Sequence, residues 1–393
     1  MVWLIAAKSP FSAFEKMLIY ANFFILCEYG IITRSYCLSV ALTLLYAWLS
    51  VGHRERTLLR MMVLAGLANV SAFSALLSLV LLAHESLYDR IHRRAAGAIG
   101  LYLVFLLFAG LTMMPAGDII AFSLDDPLLP RLITEINTFI SFPFMPRFSS
   151  DIAPDSWQYL IVAALFSIVW GRAFGLSQPS TFIWAGSALL FIAFGTFVYP
   201  GRVWHTGLML SVILLCLWLT AARGPSPSRH IAALLLVPGA LIGLGFSVSV
   251  AGKPFSHAAD VADWLRSHRH QDDLIVGAPG TETAVTIGAM LGQPIFDPGC
   301  RCRPKFALWS RNNQIKTSEV APTIAAEMDR RHTSFALLIL PLVTDGLPDW
   351  LTGAGQFSVR TLTRFTDAFR PDGDYAIIQL TTASSSSMPP ILP

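Results

Sequence analysis

Glu28, Tyr29, Arg34 and Tyr36 place a carboxylate, two phenols and a guanidinium in one short segment, CEYGIITRSY, between long apolar runs. A carboxylate there can take a proton from a hydroxyl nucleophile, and a guanidinium grips phosphate oxygens in pairs. The same residues also suit an interfacial belt, with the tyrosines at headgroup level and Glu28 paired to Arg34. Arg202 and His205, in YPGRVWHTG, form a second group, fit to hold a phosphate or simply to line an interface. Asn69, in the polar step Asn69-Val70-Ser71, either binds substrate or satisfies backbone groups at a turn. Asp125 and Asp126 are further candidates for a general base. They lie in a stretch, 116–157, that also carries Asp118, Glu135, Asp151 and Asp155 against Arg131 and Arg147. A charged loop of this kind equally suits plain solvation. The candidate catalytic residues are thus Glu28, Asp125 and Asp126. The candidate substrate-binding residues are Tyr29, Arg34, Tyr36, Asn69, Arg202 and His205. No spacing of Cys, His, Asp or Glu reads as a metal site.

The elements that must position these groups are apolar. Hydrophobic residues make up 54% of the 393, charged residues 13%, and the mean hydropathy is +0.57. A soluble domain carries about 25% charge. Segments near 14–27, 36–52, 97–115, 158–175, 181–198, 203–221 and 230–250 are long enough, or nearly so, to cross a bilayer as helices. Between 52 and 97 lies a longer apolar stretch, with Arg54, Arg56 and Arg60 crowding one end and Arg90, Arg93 and Arg94 the other. If arginine-rich turns stay in the cytosol, this stretch enters and returns, turning at Asn69-Val70-Ser71. The reading yields about nine membrane segments, and it puts Glu28, Arg34, Arg202, His205 and the C-terminal region on the outer side. Ionisable residues do not recur along the middles of the segments, as a coupled transporter would require.

About half of the Lys, Arg, Asp and Glu lie between Lys253 and Asp374. Residues 253–380 read as a soluble α/β domain, with residues 1–252 as the helical membrane domain and the tail 381–393 as disordered. Helical spacing marks HAADVADWLRSHRH, TETAVTIGAML and PTIAAEMDRRH. DLIVG and FALLILP read as buried strands, and FSVRTLTRF with DYAIIQL as an antiparallel ending. GAPGTET lacks the lysine of a phosphate-binding loop and reads as a strand-to-helix turn. Cys300 and Cys302 sit too close in sequence for an ordinary structural disulfide. The net charge of +3 does not suggest nucleic acid.

SPFSAFEKMLIYANFFILCEYGIITRSYCLSVALTLLYAWL resembles the middle of bacterial membrane glycosyltransferases of the GT-C type, relatives of the protein mannosyltransferases and of lipopolysaccharide-modifying sugar transferases. In one subgroup a Tyr-Glu-Tyr-Gly-Val-Ile-Ala-Arg-Ser-Tyr-like segment precedes a helix. Glu28, Tyr29, Arg34 and Tyr36 match it, and Cys27 departs from its first Tyr. Ala68-Asn69-Val70-Ser71 is similar to the tip of the hairpin that follows. His205 and Gly207 align with an Arg-His-x-Gly turn. The resemblance implies a GT-C-like polytopic helical domain followed by a small periplasmic α/β domain, in the bacterial inner membrane. It implies a polyprenyl-phosphate sugar as donor, a glycan or lipid hydroxyl as acceptor, contact with membrane lipid, and in some relatives a divalent metal. In the family the acidic base or metal ligands lie in a first outer loop. The opening MVWLIAA resembles the end of the helix after that loop, so the chain looks N-terminally truncated, which puts its activity in question. Two functions follow as expectations: glycosyl transfer, or a non-catalytic membrane scaffold that binds a partner or glycan.

Overall fold

A computed structural model describes residues 1–29, 36–53, 55–88, 96–113, 127–143, 158–174, 179–201, 203–222, 234–269, 273–280, 282–306, 315–342, 348–352, 355–368 and 373–382. The protein is mostly helical with one small C-terminal sheet. It divides into two compact units, and the chain passes from one to the other at Ser249–Val250.

The helical unit contains α1 (Ala13–Ala21), α2 (Tyr36–Gly52), α3 (Thr57–Ala68), α4 (Ala72–Tyr88), α5 (Ala96–Met113), α6 (Leu128–Ile136), α7 (Gln158–Phe174), α8 (Pro179–Phe197), α9 (Val203–Ala221) and α10 (Val237–Val250). Two of them, α5 and α8, are long and apolar enough to cross a membrane by length and composition. The expected segment 14–27 is broken. Asn22 accepts from the Phe24 N–H at 3.1 Å, and the chain resumes as a π-helical turn, Phe24–Glu28. Gly243 of α10 approaches this break so closely that a Cβ would lie 2.1 Å from the Ala21 carbonyl oxygen. The stretch 116–157, read as a loop, contains α6 and a second π-helical turn, Asn137–Ser141.

A turn at Asn69-Val70-Ser71 is present, with α3 and α4 on either side. Its far end is locked by charge. Arg60, counted above among loop cations, is inside α3, 4% exposed, and its Nη2 lies 3.2 Å from the Glu85 carboxylate of α4, itself fully buried. Tyr46 of α2 donates its hydroxyl to Glu85 Oε1 at 2.9 Å, and the His84 ring stacks on Tyr88. One buried carboxylate thereby joins three helices.

The C-terminal unit is a four-stranded sheet in the order β1-β2-β4-β3, with β1 (Leu274–Gly277), β2 (Phe335–Pro341), β3 (Phe357–Phe365) and β4 (Tyr375–Thr382). β1 and β2 are parallel, whereas β4 runs antiparallel to both β2 and β3. Side chains alternate between two cores, as a pleated strand requires. Leu274, Val276, Leu338 and Ile378 pack with Val320, Ile324 and Met328 of α13 (Thr317–Arg330). Ile275, Leu337, Ile339 and Ile377 face Val261 and Leu265 of α11 (Ala258–His268) and Ile287 of α12 (Glu282–Leu291). A short α14 (Asp349–Thr352) precedes β3. Thr381 and Thr382, assigned above to the tail, belong to β4 and pair with Ser358 and Phe357, and residues 383–393 lie outside the described residues. Cys300 and Cys302 do form a disulfide, correcting the expectation from their spacing. The Asp297–Cys302 bridge folds this segment into a tight reversal, which brings two neighbouring thiols onto one side.

Glu327 of α13, 5% exposed, takes hydrogen bonds from Arg303, Arg330 and Arg331 at 2.7–3.1 Å. The Arg330 hydrogen bond, against the opposing effect of burial and helped by the Arg330 charge, the Arg331 hydrogen bond and the Arg303 charge, holds the Glu327 carboxyl below the usual range.

Two outcomes follow. Arg60→Ala or Glu85→Ala alone should lower stability by about 3–5 kcal/mol, because the surviving buried charge loses its partner. The double variant Arg60→Leu/Glu85→Leu should recover most of that loss in a detergent unfolding titration. The Glu327 contribution should be complete above about pH 4.3, the unfolded value for Glu, and vanish as pH falls through the lower folded value. Glu327→Gln should flatten this acid limb of the unfolding curve.

Candidate functional site

The site is built where the π-helical turn Phe24–Glu28, the start of α2 and the start of α9 come together. Helical π-turns widen the backbone spiral and often occur at functional positions. This one ends in buried Glu28, 5% exposed, and delivers Tyr29, 1% exposed, to α9. The Tyr29 ring fits only because residue 207 is glycine, since a Cβ there would lie 2.2 Å from the phenol oxygen.

Tyr36, at the first turn of α2, and His205, at the first turn of α9, share a hydrogen bond of 2.8 Å between the phenol oxygen and Nε2. His205 is 2% exposed. Phe73 lies tilted against its ring with centroids 4.5 Å apart, and Tyr36 and Tyr199 meet it edge-on at 5.2 and 5.6 Å. Ser39 and Ser74 join α2 to α4 at 2.7 Å, and Ser71 meets Ser74 at 2.7 Å. The polar groups at this end of the unit are therefore held by aromatic packing and by each other. A phenol–imidazole pair can pass a proton between its partners, and a nearby carboxylate can accept one.

Glu28, Tyr29, Tyr36 and His205, taken from the sequence as candidates, gather on these three elements. Asn69 serves the backbone, its amide donating to the Ala65 and Phe105 carbonyls at 2.9 and 3.2 Å. Arg34, Arg202, Asp125 and Asp126 lie outside the described residues.

Glu135 was missed as a site residue and was grouped with the loop acids. It is 2% exposed and receives the Gly201 N–H at 3.0 Å on both carboxylate oxygens. Gly195 and Gly201 clear its path, since a Cβ on either would lie 2.1 or 2.7 Å from Oε2. Arg131 of the same helix donates to the Thr196 carbonyl at 3.2 Å. Glu135 thus pins the Tyr199–Gly201 turn that leads into His205. The signal for it was the helical spacing of Leu129, Leu132, Ile133 and Ile136, which sets residues 128–136 apart from solvated loop. Among the described residues no three His, Cys, Asp or Glu side chains converge, so these residues do not fit a divalent cation.

No protein-family model, curated protein or solved structure matches this chain.

Gly207→Ala should destabilise the helical unit by about 1–3 kcal/mol, the cost of forcing an extra carbon against the buried Tyr29 ring. Gly110→Ala, on α5 where a Cβ meets nothing within 4 Å, should be neutral or slightly stabilising. Unfolding midpoints of the two variants in the same detergent compare them directly, and equal midpoints would refute the packing argument.

Proposed function

We propose that the helical unit is a multi-pass membrane domain and that its Glu28–Tyr29–Tyr36–His205 end is the working end of a glycosyltransferase using a polyprenyl-phosphate sugar. The membrane part rests on α5. Its mean hydropathy is 2.1, yet only 11% of it is buried. The core helix of a soluble protein is covered by its neighbours. Here Leu103, Val104, Leu107, Phe108 and Leu111 are uncovered, and a row of this kind is stable against lipid tails. The shorter apolar helices complete the multi-pass reading. The arginines that the sequence places between the apolar segments favour cytosolic turns and, with them, a C-terminal unit on the periplasmic side of an inner membrane.

The catalytic part is carried by one observation: a hydrogen-bonded phenol–imidazole pair in which His205 is buried and Tyr36 half-buried, with a carboxylate and a second phenol on a neighbouring turn. A polyprenyl-phosphate headgroup lies at the depth of such a helix end. The acceptor is a glycan or lipid hydroxyl. Its oxygen attacks the anomeric carbon, and its proton passes to Glu28. The bond from that carbon to the phosphate oxygen breaks, and the electron pair leaves with the phosphate. His205, oriented by Tyr36, stabilises that leaving group, with Arg34 and Arg202 as the cations the sequence offers for it.

The same burial favours a second reading. His205 has its Nε2 engaged by Tyr36 and is nearly inaccessible, as in a membrane scaffold whose polar end only holds helices together. Transfer assays in nanodiscs, with a panel of polyprenyl-phosphate sugars, separate the two. The enzyme reading expects transfer from one donor, reduced about 10²–10⁴-fold by Glu28→Gln, the loss of a general base. No transfer from any donor, or transfer unchanged in Glu28→Gln, favours the scaffold. A reporter fused after Gly252 should be active outside the cytosol, and activity confined to the cytosol would remove the sidedness on which both readings rest.

A further inference from the structure

The C-terminal unit carries more positive charge around Glu327 than that carboxylate balances. Three guanidiniums, from Arg303, Arg330 and Arg331, converge on it. Arg330 makes a two-pronged pair through Nε and Nη2 at 2.7 and 2.8 Å. Arg303 donates through Nη2 alone and Arg331 through Nε alone, both at 3.1 Å. A guanidinium has five N–H donors, so most of those on Arg303 and Arg331 have no protein partner among the described residues. Both side chains are about two-thirds buried, at 35% and 32% exposure.

These unused donors face a cleft. Arg303 and Arg331 line a hollow of about 150 Å³ together with Asp273, Gln293 and Ile295. Arg269 stands at its edge, donating to Gln293 Oε1 at 3.2 Å, which leaves the Gln293 amide nitrogen as a further donor. Burial, followed by repulsion from Arg331, lowers the Arg303 pKa, and that repulsion exceeds the attraction of Glu327. Two like charges held together in a partly dry cleft are a costly arrangement that an anion relieves. The arrangement is also prepared in advance. Glu327 orients the arginines from behind, and the reversal closed by the Cys300–Cys302 disulfide presents Arg303. Asp273 is the acidic member of the lining. It repels a bare anion but accepts a hydrogen bond from a hydroxyl.

We infer that the cleft between Arg303, Arg331, Gln293 and Asp273 binds an oxyanion that also carries a hydroxyl group. That is the chemistry of hydrogen phosphate, of a phosphorylated sugar and of an acidic sugar. The hollow holds the oxyanion end, and the rest of a larger ligand extends outward. The site belongs to the C-terminal unit alone and does not depend on the reading of the helical unit.

The test is isothermal titration of the full-length protein in uncharged detergent and phosphate-free buffer. The titrants are inorganic phosphate, glucose 1-phosphate, glucuronate and, as the neutral control, glucose. At least one anion should saturate, glucose should not, and affinity should fall as salt rises. The anion that binds tightest distinguishes free phosphate, a sugar phosphate and a sugar acid. Arg303→Gln and Arg331→Gln should each weaken binding by about tenfold or more, the loss of a charge-assisted hydrogen bond. Arg360→Gln, on the exposed side of β3, should not. If Arg303→Gln fails to fold, Arg331→Gln decides, because its outward donors hold no partner among the described residues. No saturation by any anion at millimolar concentration, or binding unchanged in Arg331→Gln, would overturn the assignment.

Discussion

The helical unit combines an apolar exterior with buried polar side chains. Leu103, Val104, Leu107 and Phe108 on α5, with Leu165 and Ile168 on α7 and Leu241 and Leu244 on α10, are exposed. Glu28, Arg60, Glu85, Glu135 and His205 are buried. Polar groups in such a unit are tolerable only when they meet one another or the backbone. That constraint sorts them into two layers. One, at the turn end of the α3–α4 hairpin, holds Tyr36, Ser39, Ser71, Ser74 and His205. The other, at the opposite end, holds Tyr46, Arg60, His84 and Glu85. The layers differ in kind. The second is a charged lock with a fully buried carboxylate, whereas the first is built of hydroxyls, a phenol and an imidazole. The phenol–imidazole contact of the first layer, with Glu28 on the adjoining π-helical turn, makes it the one we propose for chemistry.

Close approach of backbone makes the first layer possible. Glycines stand wherever a polar side chain must lie flat against a neighbouring helix: Gly207 over Tyr29, and Gly195 and Gly201 over Glu135. Each admits a group that a methyl would exclude. Gly243 plays the same part for the main chain itself, at the break before the Phe24–Glu28 turn. The position of Glu28 and Tyr29 therefore depends on a residue more than two hundred positions away.

The C-terminal unit arranges its charges differently. Its sheet buries two apolar faces, and its charge is gathered at one carboxylate. Glu327 is worth more as an anchor than as a pair, because it fixes the direction of guanidiniums that remain partly unsatisfied. Electrostatics here favours preparation for a ligand over internal balance.

Two short apolar runs, two alternating segments and three stretches of helical spacing were enough to place the four strands and the helices α11 to α13 to within a few residues, because each pattern is local. Arginine-rich turns with a polar step between them located the α3–α4 hairpin for the same local reason. Tyr36 and His205 were recognisable as candidates from residue type alone. Their contact was not, since 169 positions separate them and no local pattern encodes that pairing. Glu135 looked like a solvated loop acid, because only the packing of α6 against Gly195 and Gly201 buries it. Arg60 looked like a loop cation until Glu85 was seen beside it. The Cys300–Cys302 bond was set aside on spacing, and the Asp297–Cys302 reversal is what brings the two sulfurs within reach. Periodicity and composition by themselves determined which segments are helix or strand and which surfaces are apolar, because those follow from neighbours along the chain. Which charges meet, and which polar groups share a site, was decided by tertiary structure alone, because burial and pairing depend on residues far apart in sequence.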